Sequence, residues 1–226
     1  MRTLCLVVAG TILPAIAQAQ VPPSAAEIAS YAGALGAAAI GDVAKITSLA
    51  PDGVEVRDRR GRTPLIVAAY QRQHAAMRAL VKAGADANAV EDDRYDIVTI
   101  AAVANDLPTL KLALALGASA RNVTSRYDGT ALIAAAHLGH ADIVRELIRA
   151  NAPLDHVNNL GWTALIESIV LGDGGPRHVD TLRALVDAGA NVNLPDRANV
   201  MPITLARDRG FTSMVTILER AGARSR

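Results

Sequence analysis

Residues 61–88 read GRTPLIVAAYQRQHAAMRALVKAGADAN, and this stretch holds the pattern that decides the fold. Thr63 can cap a helix, and Pro64 suits its first position, where a missing N–H costs nothing. Apolar residues then recur at helical spacing, and Gly84 can take the left-handed conformation that ends a helix. The stretch therefore predicts two short helices joined by a turn, followed by an extended arm.

The same landmarks recur along the chain at a nearly constant spacing. The pair Gly84-Ala85 returns at steps of 33, 34, 38 and 33 residues, as Gly117-Ala118, Asn151-Ala152, Gly189-Ala190 and Gly222-Ala223. Counterparts of the triplet at 63–65 keep the same phase, at 96–98, 130–132, 163–165 and 201–203. Because one helix pair cannot bury its own apolar face, these units must be stabilised by stacking on their neighbours.

These motifs resemble the ankyrin repeat, most closely at 61–65, 139–144 and 161–165. The resemblance covers about residues 33–223 and implies an all-α solenoid of about six stacked helix-turn-helix units with hairpin arms. The expected repeats are about 37–58, 59–91, 92–123, 124–157, 158–196 and 197–226, after a linker and capping helix at 20–36. Repeat three departs most, since Asp96-Ile97 replaces Thr-Pro and Asn105-Asp106 replaces Gly-His, and we expect weaker helix caps there.

The N-terminus has the pattern of an export signal. Arg2 gives a positive start, Leu4 to Ile16 an apolar region, and Ala17-Gln18-Ala19 a small-x-small cleavage site. We therefore expect residues 1–19 to be removed, which leaves a periplasmic or secreted protein without stable membrane insertion. Cys5 lies within this signal, so the mature chain would have no thiol.

Composition limits the functions further. The 226 residues are 51% hydrophobic but only 3% aromatic, which favours closely packed short helices built on Ala, Leu, Ile and Val. Lys+Arg 23 against Asp+Glu 22 argues against nucleic-acid binding by bulk electrostatics. We found no phosphate-binding loop, dinucleotide motif or nucleophile motif, and so predict no catalytic residue and no cofactor.

The step of 38 residues places extra residues in the turn of repeat five, at 172–178. Its glycines could let backbone N–H groups converge, while Arg177 and His178 could hold an anion. Glu167 stands where other repeats carry apolar residues, and Arg177 is its expected partner. Two interpretations stay open: Glu167, Asp173 and Arg177 lock an irregular turn, or these residues and His178 bind a small anionic ligand.

The histidines do not have convincing metal-ligand spacing. No pair lies at i, i+4 on a helix with a nearby acid, so we predict no metal site. His137 with His178 across neighbouring turns is the least poor alternative. The resemblance instead implies that His140 is the turn histidine that bonds to backbone groups between helices.

Candidate partner contacts follow from the resemblance, which places hairpin arms and first helices on a concave face. Expected aromatic contacts there are Trp162, Tyr70, Tyr95 and Tyr127, with packing of Trp162 under the adjacent hairpin as the alternative. Arg60 and Arg62 are further candidate contacts. They belong to an Arg-rich arm next to an acidic arm at 91–96, and these arms should pair with each other or stay solvated. The sequence thus predicts a monomeric, non-catalytic protein that binds an unknown protein; the alternative is a small anionic-ligand binder or enzyme using 172–178 and Glu167.

Overall fold

The computed structural model describes residues 20–49 and 51–225, and the predicted signal peptide at 1–19 lies outside this part of the chain. The described residues form thirteen α-helices and one 3-10 turn, Pro51–Val54. The helices are α1 Ala25–Ser30, α2 Gly33–Ile40, α3 Val43–Thr47, α4 Pro64–Tyr70, α5 His74–Lys82, α6 Ile97–Val103, α7 Leu107–Ala115, α8 Ala131–His137, α9 Ala141–Arg149, α10 Ala164–Val170, α11 Pro176–Asp187, α12 Pro202–Asp208 and α13 Thr212–Arg220.

Helices α2 to α13 form six antiparallel pairs that stack in chain order. The first helices of the pairs (α2, α4, α6, α8, α10, α12) contact one another in sequence, and second helices pack on second helices in a separate layer. This confirms the predicted all-α repeat architecture. The first pair begins at Gly33, earlier than the predicted start at 37, and α1 packs on it.

Side chains cap the helices where the repeat pattern predicts. Thr63, Thr130 and Thr163 each accept a hydrogen bond from the backbone N–H three residues later. The expectation of weaker caps in repeat three is wrong, because Asp96 Oδ1 accepts from Thr99 N at 2.8 Å and Asp106 Oδ1 from Thr109 N at 3.1 Å. Aspartate is as good an N-cap as threonine, so the substitution preserves the helix start. Helix α1, which lies in the predicted capping segment, begins with a capping box between Ser24 and Glu27.

The arms between repeats are tight turns rather than paired strands in the described residues. In each turn the N–H of the first residue donates to the carbonyl of the last, and the five turns are 58–62, 91–95, 124–129, 158–162 and 196–200. The turn at 124–129 holds one residue more than the others, which accounts for the 34-residue step. We call the surface formed by α4, α6, α8, α10 and the turns before them the first-helix face.

Repeat five absorbs its additional residues mainly in a longer second helix. Helix α11 has 12 residues, whereas α5, α7, α9 and α13 have 9 each. The loop predicted at 172–178 is therefore shorter than expected, because Pro176 starts α11 and brings Arg177 and His178 into its first turn. Gly174 has a φ of +69°, and a Cβ there would overlap the Phe211 ring.

Candidate functional site

A cavity of about 90 Å³ opens on the first-helix face between repeats three, four and five. We call it the central cavity. Its walls come from α6, α8 and α10 and from the turns that precede them. The side chains that line it include Tyr95, Tyr127, Ala134, His137, Asn158 and Glu167.

Glu167 is the carboxylate of this cavity and is only 3% exposed. Its Oε1 accepts a hydrogen bond from Asn158 Nδ2 at 2.8 Å, and its Oε2 lies 3.3 Å from His137 Nδ1. The prediction that Arg177 is its partner is wrong. Arg177 is exposed on the first turn of α11, whereas Glu167 points into the cavity wall. The Asn158 amide of repeat five therefore holds the carboxylate beside the His137 ring of repeat four.

Asn158 is oriented for this contact by its own hairpin turn. Its Oδ1 accepts from the backbone N–H groups of Leu160 and Trp162, both at 3.0 Å. Because the oxygen is fixed in this way, the amide nitrogen must face Glu167. Asp58 and Asp196 occupy the same turn position and accept from the corresponding N–H groups, but an aspartate could not donate to a carboxylate.

Asp173 and His178 come together, but they form a separate cluster. His178 is buried, with Nδ1 2.8 Å from Asp173 Oδ1 and Nε2 2.9 Å from the carbonyl oxygen of His137. Each ring nitrogen of His178 therefore faces an oxygen atom. The N–H of Gly175 and the His178 ring together lower the pKa of Asp173. The donors of this loop thus bind the loop's own carboxylate.

The predicted aromatic contacts differ in exposure. Tyr127 and Trp162 are half-buried on their hairpin turns, and Tyr127 lines the central cavity. Tyr95 also lines it but is only 5% exposed, and desolvation raises its pKa to about 12. Tyr95 is therefore part of the cavity wall rather than of the exposed surface. Tyr70 is half-buried at a neighbouring cavity of about 290 Å³, and its hydroxyl donates to Glu91 Oε1 at 3.1 Å.

Arg62 was expected to be a partner contact, but its side chain is 0% exposed. Its guanidinium donates to Asp58 Oδ2 at 2.7 Å, to the Val21 carbonyl at 3.2 Å and to Glu27. The N-terminal segment that carries Val21 and Glu27 covers this arm, which the charge pattern alone did not reveal. Arg60 stays exposed, as predicted for a contact residue.

The arms also pair differently from the expectation. In the described residues, no ion pair joins the Arg-rich arm to the acidic arm at 91–96. The acidic arm pairs with the next arm instead, through Asp93 with Arg126 at 2.6 Å and Arg94 with Asp128 at 2.7 Å. Each of these two arms therefore carries both acidic and basic side chains. The prediction of an acidic arm at 91–96 considered only its four acidic residues.

Two further findings concern metals and membranes. Over residues 20–49 and 51–225 no group of three His, Cys, Asp or Glu side chains could hold a metal ion. None of the helices described is long and apolar enough to cross a membrane.

His140 Nδ1 lies 3.0 Å from the Ala102 carbonyl oxygen, as expected for the turn histidine, and burial lowers its pKa.

Sequence reasoning identified Glu167 but missed Asn158 and His137 as its partners. A signal for Asn158 exists in the repeat register. Four positions after the residue that caps the first helix, the other repeats carry Val67, Ile100, Ala134 and Leu205 where repeat five has Glu167. Repeat five also has Asn where repeats two and six have Asp, and the two exceptions together indicate a buried amide–carboxylate contact.

Comparisons with known proteins agree with this architecture. Residues 98–196 match the family described as ankyrin repeats (3 copies), and residues 60–92 match the family described as ankyrin repeat. The putative ankyrin repeat protein YahD of Escherichia coli strain K12 is 35% identical over 190 residues, which cover 83% of this chain and 94% of YahD. The crystal structure of an ankyrin repeat domain from Acinetobacter baumannii AYE has 39% identity and a TM-score of 0.79, over 84% of this chain and 98% of that one. The ankyrin repeat domain of Bcl-3 shares the fold at 24% identity and a TM-score of 0.76, over 87% of this chain and 88% of that one. The chain therefore belongs to the ankyrin repeat family.

Proposed function

We propose that the chain is exported to the periplasm or secreted, and there binds another protein through its first-helix face, as a monomer and without catalysis. Ankyrin repeat proteins generally mediate protein–protein interaction. The observation that carries the choice of face is the central cavity, which opens there between half-buried aromatic and apolar walls. Concave sites with apolar walls and a few fixed polar groups are where partner side chains anchor.

The side chains around the cavity fit this role. Tyr127 and Trp162 are half-buried on adjacent hairpin turns and expose part of their rings. Rigid aromatic side chains lose little conformational entropy on binding and bury a large area, so they commonly act as interface anchors. Arg60, 48% exposed on its arm, adds a charged group that can select among partners.

A small anionic ligand at 172–178 has weaker support. The N–H of Gly175 and the ring of His178 already bind Asp173, and an incoming anion would have to displace that carboxylate. Among the polar side chains of the loop, Arg177 alone is exposed without a described bond. One surface arginine is a weak basis for an anion site, so we favour a structural role for the loop.

Affinity capture with paired variants tests the binding face. The tagged full chain, produced in a Gram-negative host, is used to capture proteins from the cell envelope. We expect Tyr127→Ala combined with Trp162→Ala to reduce the captured partner at least about tenfold, as for interface anchors. The control variant, Lys111→Ala with Arg149→Ala, changes exposed residues on second helices and should capture normally. Equal capture by both variants would contradict the proposed face.

Export is tested by cell fractionation of the same tagged chain. A mature protein that begins at Gln20 in the periplasmic or secreted fraction supports the proposal. A cytoplasmic protein that retains Met1 would refute this part of it without affecting the binding face.

A further inference from the structure

We propose that the central cavity receives a lysine side chain of the partner, with the ammonium group bonded to Glu167 and the alkyl stem against Tyr95 and Tyr127. This inference rests on the proposed binding of a protein by the first-helix face and specifies the chemistry of the anchor. It follows from the charge, the hydrogen-bonding capacity and the size of the cavity.

The charge of the cavity wall is unbalanced. Glu167 is its only carboxylate, and no Lys or Arg is among the described residues that line it. A buried carboxylate is costly unless a cation or several donors compensate it. The neutral amide of Asn158 donates to it at 2.8 Å, and the His137 ring lies beside it, with Nδ1 at 3.3 Å. A cation from outside would complete the site.

The carboxylate also has unused bonding capacity. An ionised carboxylate offers about four acceptor positions on its two oxygens, and the hydrogen bond from Asn158 occupies one of them. The remaining positions suit an ammonium group, which has three donors and forms strong charge-assisted hydrogen bonds. The tyrosine rings add a favourable surface for a cation and for the CH₂ groups that precede it.

The size of the cavity selects a thin side chain. A 150 Å³ cavity can hold benzene, so by proportion about 90 Å³ holds roughly four non-hydrogen atoms. Four atoms are the Cγ, Cδ, Cε and Nζ of a lysine, whereas the planar guanidinium of arginine is broader.

Binding of n-butylammonium chloride to the full chain tests the chemistry directly. We would follow the backbone amide signals by NMR and expect saturable shifts with a Kd on the order of 1 mM, as befits a five-atom ligand. Glu167→Gln should weaken binding at least about tenfold through loss of the charge-assisted bonds. Ala134→Leu should also abolish it, by filling the cavity while leaving the bonds of Glu167 intact.

Matched controls make the result interpretable. Glu146→Gln removes a partly buried carboxylate from α9, outside the cavity, and should bind n-butylammonium like the wild type. n-Butanol and butyrate keep the alkyl chain but lack the positive charge, and should not bind. Absence of saturable shifts with n-butylammonium, equal shifts with n-butanol, or wild-type affinity in Glu167→Gln would each overturn the proposal.

The source of the ammonium group is tested by capture from an envelope extract whose lysines have been acetylated. Loss of the partner captured by the wild-type chain supports a lysine of a protein, while unchanged capture overturns it in favour of a free amine. If the wild type captures no partner from the untreated extract, the proposed function fails, whereas the n-butylammonium result still reports on the cavity. The two failures are therefore distinguishable.

Discussion

Glu91 makes the stability of this protein depend on pH in an unusual direction. It lies in the hairpin turn of repeat three, is 5% exposed, and its Oε1 accepts a hydrogen bond from the Tyr70 hydroxyl. Desolvation raises its pKa from 4.5 to about 7. The Tyr70 bond and the charge of Arg62 lower the pKa of Glu91, while Asp93 and Asp58 raise it, but burial dominates.

The sign of the effect follows from proton binding. Folded Glu91 keeps its proton up to about pH 7, whereas the unfolded chain releases it near 4.5, so between these values the folded state binds more protons. Stability from this residue is therefore fully present below pH 4.5 and is lost as the pH rises through about 7. At about 1.4 kcal/mol per pH unit, the gap corresponds to about 3 kcal/mol of unfolding free energy.

The substitution Glu91→Gln removes this titration but keeps an oxygen that can accept from Tyr70. We expect the unfolding free energy of the wild type, measured by urea denaturation and circular dichroism, to fall by about 3 kcal/mol relative to Glu91→Gln between about pH 4.5 and pH 8. Glu219→Gln, an exposed change of the same charge on α13, should follow the wild type. Parallel pH curves for the wild type and Glu91→Gln would refute the reasoning.

Three further substitutions test the packing. Arg62→Met leaves two carboxylates without their buried partner and should lower the urea-unfolding free energy by about 3 kcal/mol. Gly174→Ala should cost about 1–3 kcal/mol more than Gly189→Ala in the same assay, because both have positive φ but only the first meets an aromatic ring. The double change Asn158→Asp, Glu167→Val, which reproduces the pattern of repeat two, should leave the melting temperature equal to or above that of the wild type.

The helix pairs could be predicted from sequence because the signals that define them are local. Thr63 and Pro64 start a helix, Gly84 ends one, and the period near 33 residues repeats these signals. Repeat three shows the limit of matching letters to a motif. Its Asp96 departs from Thr-Pro but performs the same capping chemistry, so the physical role of the residue was the better guide.

The side-chain partners were harder to predict because they come from other repeats or from the N-terminal segment. Arg62 bonds to Glu27, which lies 35 residues earlier, and an arm rich in arginine gave no sign that one of them is buried. The sequence identifies Glu167 as a candidate, but it indicates Arg177 as the partner only because Arg177 is close to Glu167 along the chain. In a solenoid the nearest neighbours across a first-helix layer are about one repeat apart, and His137 of the preceding repeat meets that condition.

Glu167 also bears on why the first-helix face is not uniform. The corresponding positions hold Val67, Ile100, Ala134 and Leu205, so an apolar residue there is sufficient for stacking. The carboxylate at this position is held by a donor from its own turn and lies beside His137 of the preceding repeat, and it still leaves a negative charge in an apolar wall. Local departures from the stacking pattern that cost stability are expected mainly at functional sites. The cost of burying this charge is the physical reason to look for a cation at the central cavity. It is also why we expect the variant Asn158→Asp, Glu167→Val to gain stability as it loses amine binding.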